Sequence, residues 1–407
     1  MRAGWVGLWR WTAWAGIGLS LYAGWLTADD MRDRASSERD IGAACVGLIS
    51  GSEVMDLQGG MVRAQTGGYY DGFDLDGSEP HGSCTVYKVP GPGRSTGLLT
   101  LVVRGSSDSE PLNWIGDDSS LEPFSRNGDQ DDVTAVADRL PQSRPIGDGT
   151  LGRYGNGYTT IRAVCGTGSR ATAPKLLNVT ARADYDEVSA ADRERIAHIA
   201  RSAAEKAAAR IGCRTGLPDL PVQLAPVSPA LSPAKTADGT CKWFARHLQE
   251  RGQGRLPDRA LAVPAPDTNP SEGCLLAVSP DQVGRIAESL NGDQRNYART
   301  ALTHSPWWLR SASYFGPEAH TVGYDDLAAQ SVMIKAGTAG RANGAWWASS
   351  VCNGEPALHT LSASYPYNDV LGSQTVSALF RAYVDDITKG RGCTQVTFPG
   401  AEDFRNP

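Results

Sequence analysis

The first pattern along the chain is an uninterrupted apolar run. Trp11 to Thr27 carries no charge, Arg2 and Arg10 precede it, and Asp29 and Asp30 follow it. As a helix those residues span roughly 26 Å, slightly less than a hydrocarbon core of about 30 Å. Trp5, Trp9 and Trp11 on one side, with Tyr22 and Trp25 on the other, fit the aromatic belts of the two membrane interfaces. Residues 1–30 therefore predict an N-terminal membrane anchor, with the N-terminus cytoplasmic and the body extracellular. The alternative is a cleaved signal peptide and a secreted body. Against cleavage, no two residues two apart between Ser20 and Ala28 are both small.

Beyond the anchor the pattern changes to that of a mixed α and β chain. Residues 31–40 are charged and of mixed sign, without apolar periodicity, and predict a tether. Val46, Leu48, Ile49 and Val54 suit a short helix. Cys84–Val89 and Leu98–Arg104 are β-rich and flank Pro90-Gly91-Pro92-Gly93, so they predict a hairpin. Residues 106–145 are polar, acidic and rich in Gly and Pro, and predict a long surface excursion. Leu176–Tyr185 alternates as a further strand. Near the end, Val376, Leu379, Phe380, Tyr383, Val384 and Ile387 recur at the spacing of one buried helix face.

That last stripe occurs twice. Positions 180 residues earlier are Ile196, Ile199, Ala200, Ala203, Ala204 and Ala207, the same stripe in smaller residues. Ser189 with Asp192 makes a capping box at the start of this earlier helix, and Gly212 ends it. Ahead of each helix stands Asn-Gly, the strongest short hairpin signal, because both residues tolerate positive φ. Gly157 precedes Cys165, and Gly344 precedes Cys352, by eight residues in both cases.

The eight cysteines carry the duplication through the chain. Cys45, Cys84, Cys165 and Cys213 recur as Cys241, Cys274, Cys352 and Cys393 at offsets of 196, 190, 187 and 180 residues. All lie beyond the apolar run, and none forms a C-x-x-C pair, so they read as structural disulfides of an exported protein. Identical pairing within each copy leaves three patterns. The favoured one joins Cys45–Cys84, Cys165–Cys213, Cys241–Cys274 and Cys352–Cys393. The expected fold class is α+β: a single transmembrane helix, then two tandem duplicated domains, each an antiparallel sheet with packed helices. The boundaries are anchor 1–30, tether 31–40, copy one 41–214, Pro-rich linker 215–239, copy two 240–398 and tail 399–407. In copy two, Asp281–Leu290 reads as helix where copy one has its hairpin partner, so the front halves are expected to have diverged.

A net charge of −6 gives no electrostatic footprint for nucleic acid. Candidate chemistry is sparse. Ser232-Pro233-Ala234-Lys235 has the S-x-x-K spacing but lies in the linker without its partner motifs. Asn127, Asp129, Asp131 and Asp138 imitate a calcium loop, but Asp132 stands where Gly is needed. Asp71, Asp74 and Asp76 make a polar turn. The six histidines, His198 and His247 among them, show no ligand spacing, and no motif implies a metal or cofactor. Two features suit binding. Arg153 and Arg341 occupy matching places beside the repeated hairpin, where a guanidinium holds a carboxylate or phosphate, or else a structural ion pair. Trp346-Trp347, like Trp307-Trp308, is confined to copy two. Adjacent strand residues point to opposite faces, so one indole of Trp346-Trp347 is expected buried and one displayed, unless both pack.

The anchor, the Ala/Gly/Arg/Asp-rich composition and the early Cys45-x-Gly47-Leu48 run resemble membrane-anchored or secreted cell-envelope proteins of actinobacteria that have no established function. That resemblance implies small disulfide-bonded α+β domains behind an anchor, and no catalytic residues. The expectation is non-catalytic, extracytoplasmic binding of a protein partner or envelope ligand. The alternative is a cell-envelope hydrolase whose site is assembled only in three dimensions.

Overall fold

Along Leu99, Leu101 and Val103 the side chains are fully buried, whereas Thr100, Val102 and Arg104 between them take the other face. This contrast organises the first copy. The computed structural model describes residues 3–59, 64–66, 72–76, 79–88, 96–107, 109–116, 121–124, 132–139, 142–326 and 330–405. Copy one contains α1 (Ala3–Ala44), α2 (Gly51–Met55), β1 (Ala64–Thr66), β2 (Gly72–Asp74), β3 (His81–Lys88), β4 (Thr96–Gly105) and β5 (Asn113–Trp114). It continues with β6 (Arg144–Pro145), β7 (Gly152–Tyr154), β8 (Tyr158–Val164), β9 (Leu176–Ala183) and α3 (Ala190–Ile211). The antiparallel sheet runs β1-β3-β4-β9-β8-β7-β6, with β2 beside β3. The predicted Pro90–Gly93 turn lies outside the described residues. Helix α3 covers the apolar face through its Ile and Ala stripe, all of it buried. Ser189 caps it, accepting from the Asp192 N–H at 3.1 Å, and Gly212 ends it at φ +74°.

Copy two contains β10 (Ser232–Pro233), α4 (Lys242–Arg251), β11 (Arg259–Leu261), β12 (Ser271–Ala277), α5 (Pro280–Ala287), α6 (Gly292–Ala301) and β13 (Trp308–Phe315). Then follow β14 (Val322–Asp325), β15 (Ser331–Met333), β16 (Gly340–Ala342), β17 (Ala345–Cys352), β18 (Glu355–Ala363), α7 (Tyr367–Leu371), α8 (Ser373–Gly390) and β19 (Thr394–Thr397). Its sheet runs β10-β11-β12-β13-β18-β17-β16, with β19 against β17. The central order β12-β13-β18-β17-β16 repeats β3-β4-β9-β8-β7. The four disulfides are Cys45–Cys84, Cys165–Cys213, Cys241–Cys274 and Cys352–Cys393, and each ties a strand or strand end to a helix terminus. Cys213 and Cys393 follow the C-termini of α3 and α8, while Cys45 follows the C-terminus of α1 and Cys241 caps the N-terminus of α4. The chain is thus α+β with antiparallel main sheets and four disulfides.

Several expectations need correction. The hairpin partner thought missing from copy two is present as β13; α5 and α6 are an insertion ahead of it, not a replacement. Of the expected first helix only Gly51–Met55 is α-helical, because Val46 and Gly47 adopt positive φ and interrupt it. Residues 31–40 are no loose tether. Helix α1 passes through them unbroken, Arg34 pairs with Glu38 at 3.5 Å and Asp56 at 2.9 Å, and Ile41 is fully buried. Charged residues at i,i+4 spacing with no Gly or Pro until Gly42 extend a helix as readily as they solvate a coil. The side chains of Trp5, Trp9 and Trp11 lie outside the described residues. Among those that are described, no helix is long and apolar enough to cross a membrane.

The described residues of 106–145 are not a surface excursion either: they form a strap that crosses to copy two. There β5 pairs in parallel with β14, Phe124 and Ala137 are fully buried, and the Asp132 carboxylate takes two bonds from Arg259 at 2.6 and 2.7 Å. The linker is likewise fixed. Leu217, Leu220, Leu224 and Val227 pack on the core of copy one, and Ser232–Pro233 already belongs to the second sheet.

Candidate functional site

Each sheet has helices on one face only, and the helix-free faces look at each other. From copy one come Arg153 on β7, Tyr158 and Thr160 on β8, and Thr180 and Arg182 on β9. Copy two answers with Ser271 and Gly273 on β12, and Arg310, Ala312 and Tyr314 on β13. The strap supplies a third wall through Leu112, Trp114, Leu121 and Gln142. The cleft measures about 450 Å³, within the range of small-molecule sites, and is partly open to solvent. A small recess at one end reaches Arg162, Asn178 and Glu318, and another reaches Trp308, Thr360 and Ser362.

Charge inside the cleft is uneven. Arg104, Arg153, Arg162 and Arg182 stand on the helix-free face of copy one; Arg153 and Arg182 line the cleft, Arg162 lines its recess, and three of the four have carboxylate partners. Arg104 meets Glu110 at 2.6 Å, Arg182 meets Asp184 at 3.2 Å, and Arg162 donates twice to Glu318, the second bond at 2.7 Å. The fourth, Arg153, donates only to the Asn113 side-chain oxygen, at 3.4 Å, and no carboxylate among the described residues pairs with it. Burial pushes the Glu318 carboxyl upwards, and Arg162, with a smaller coulombic contribution from Arg153, only partly offsets this. From copy two, the Arg310 guanidinium lies 5.8 Å from the Trp308 ring centroid. Burial lowers its pKa to about 10, which leaves it charged at neutral pH. Burial also raises the Tyr314 phenol, which therefore stays protonated. The cleft is a cationic, hydrogen-bonding space with aromatic walls, suited to an anion.

Groups for bond-making are fewer. Ser143 Oγ and Tyr158 OH lie 2.7 Å apart at the cleft, but no histidine or carboxylate among the described residues bonds to either. A serine becomes a nucleophile when a neighbouring base takes its proton. The one elaborate histidine network lies elsewhere. His359 bonds to Ser313 through Nδ1 and Ser350 through Nε2, both at 2.8 Å, and Ser313 bonds to Tyr383 at 2.7 Å. All four residues are buried between the sheet and α8, which carries Tyr383, and burial brings His359 down to about pKa 4. This is a polar core without access for substrate. Among the described residues no group of three His, Cys, Asp or Glu is placed to hold a metal.

The residues singled out in the sequence fare unequally. Arg153 lines the cleft. Arg341 does not, because the two arginines are not equivalent. Arg153 precedes the glycine of its Asn-Gly pair by four residues and Arg341 by three, and one step along a strand reverses the face. Arg341 lies on the helix side, over Trp346 at 5.6 Å, and donates to the Arg405 carbonyl. Trp346 is 1% exposed, stacks on Phe404 at 5.9 Å and donates to the Asp403 carbonyl. Trp347 is half-buried against Tyr324 at 5.7 Å, so the pair presents no open aromatic face. Trp307 and Trp308 are core residues.

Ser232 donates to the Ala260 carbonyl at a sheet edge, and His198 is exposed on α3. Burial lowers the pKa of the half-buried His247. Asn127, Asp129, Asp131 and Asp71 lie outside the described residues. Asn113, Gln142, Arg310 and Tyr314 also line the cleft and carry no motif in the sequence. The best signal of the cleft was the polar alternation Tyr158-x-Thr160-x-Arg162 facing Asn178-x-Thr180-x-Arg182, a sheet face too charged to be left unused. Compared with known proteins, the chain matches no family model, no curated sequence and no solved structure.

Proposed function

We propose that this chain is a non-catalytic, extracytoplasmic binding protein, held to the cell membrane by its N-terminal helix, that takes an anionic envelope ligand into the cleft between its copies. The observation that carries this is Arg153, a half-buried guanidinium facing an open cavity with only a long bond to an amide oxygen. Its three arginine neighbours on the same face are all neutralised by acids. The four disulfides favour an oxidising compartment. Strongly exposed Trp14, Leu21, Tyr22 and Trp25 on α1 favour burial of that helix in something apolar, which the anchor reading supplies.

The test is native mass spectrometry of the full chain gently extracted from its own membranes, as wild type and as Arg153→Gln. A small acidic adduct present on wild type and lost from the variant supports the reading. An adduct equally abundant on both, or a stoichiometric protein companion without any small molecule, sinks it. The hydrolase alternative rests on the Ser143–Tyr158 hydroxyl pair. It requires Ser143→Ala to abolish turnover of a bound ester or amide while leaving binding intact.

A further inference from the structure

The cleft is not uniformly polar, and its unevenness bears on the ligand, provided the anion-binding reading above holds. Arg153 sits towards one end, beside the recess shared by Arg162, Asn178 and Asn269. A second recess is lined by Trp114, Leu121, Trp308 and Tyr314, with Arg310 among them. Trp114 is fixed in place: its indole N–H donates to Asp325 Oδ1 at 3.2 Å, and the Arg104 guanidinium lies 5.0 Å from its ring centroid. A rigid indole lining a cavity offers a stacking surface at little entropic cost.

We infer that the ligand is an aromatic monocarboxylate, with its acid group on Arg153 and its ring against Trp114. The charge of the head follows from the pairing. Of the four arginines on the copy-one face only Arg153 has no carboxylate within ion-pair distance among the described residues, which leaves that face one position for a negatively charged head. The planar guanidinium fork matches a planar carboxylate, and Asn113, Asn269 and Gln142 line the same cavity as polar partners. The ring follows from the walls, which an aliphatic chain would contact less well than a flat face.

Calorimetric titration of the full-length protein tests this with three probes: naphthalene-2-carboxylate, its neutral amide, and inorganic phosphate. The expected result is that the carboxylate binds wild type at least ten-fold more tightly than either other probe. Arg153→Gln brings it down to the level of the amide. Trp114→Leu, verified as folded by its thermal transition, weakens the carboxylate several-fold and leaves phosphate unchanged. Equal binding of carboxylate and amide overturns the inference. Phosphate binding as tight as the carboxylate, and lost in Arg153→Gln, also overturns it but preserves an anion-binding cleft. No probe binding wild type more tightly than Arg153→Gln overturns both.

Discussion

The two copies share a strand order and a disulfide pattern, yet at one cross-strand position they hold opposite contents. In copy one Arg153 pairs across the hairpin with Thr160; in copy two, 187 residues on, Gly340 pairs with Trp347. The Trp347 ring lies flat on that glycine, so that a Cβ there would stand 2.6 Å from it. Where one copy extends a cation into the cleft, the other lays down an indole and covers it with Tyr324 of β14. The helix-side faces diverge too. Val103, Ala163, Val179 and Ala203 of copy one occupy the places of Ser313, Ser350, His359 and Tyr383. The two copies share the covalent frame of disulfides and strand order, while their corresponding faces carry different contents. A sheet needs only one face packed to fold.

The largest effect that can sharpen this contrast lies at Trp346 and its counterpart Thr159. Trp346→Ala should cost about 3–5 kcal/mol in chemical denaturation, as deletion of a fully buried aromatic does. Thr159 is fully buried with its hydroxyl unbonded, so Thr159→Val should cost nothing and add up to about 1 kcal/mol. Comparable losses at both positions would show that the cores are not specialised.

Acid sensitivity comes next. His359 binds a proton at about pH 4 in the folded chain, against an ordinary 6.5. Between those values the unfolded chain is protonated and the folded chain is not. Stability is therefore complete above pH 6.5 and falls as pH drops towards 4, by on the order of 3 kcal/mol. Burial raises the carboxyls of Glu272 and Glu318, which act in the opposite sense, so the readout is wild type minus His359→Gln. A difference independent of pH over that window would refute the assignment.

Smallest is the exchange at the divergent pair itself. Gly340→Ala must displace the Trp347 ring and should cost about 1–3 kcal/mol. Arg153→Gln, at a cavity wall, should change thermal stability by less than about 0.5 kcal/mol. A large loss for the second would make Arg153 a structural residue.

How much of this was legible follows from the range of each signal. The α3 and α8 stripes and the disulfide pattern are local or repeated, and a periodicity at 3.6 residues or an offset between cysteines survives in the sequence. The strap was not legible because Ile115 and Phe124 lie in a segment too polar to show periodicity, and their partners lie far along the chain in copy two. The cleft was invisible for the same reason, since its walls come from β7–β9 and β12–β13. Arg153 and Arg341 looked equivalent because both stand beside an Asn-Gly pair. Hairpin register, set by pairing Tyr154 with Thr159 in one copy and Arg341 with Trp346 in the other, aligns Arg341 with Tyr154 instead.

The most direct test of the account is the arginine side-chain NMR spectrum. The Nε–H signals of Arg153 and Arg341 would be assigned through Arg153→Gln and Arg341→Gln. They would then be followed as inorganic phosphate and, separately, naphthalene-2-carboxylate are added to the full chain. The Arg153 signal is predicted to move with at least one of these anions while that of Arg341 stays in place. If Arg153 is indifferent to both, or Arg341 moves in its stead, the cleft between the copies is not the binding site.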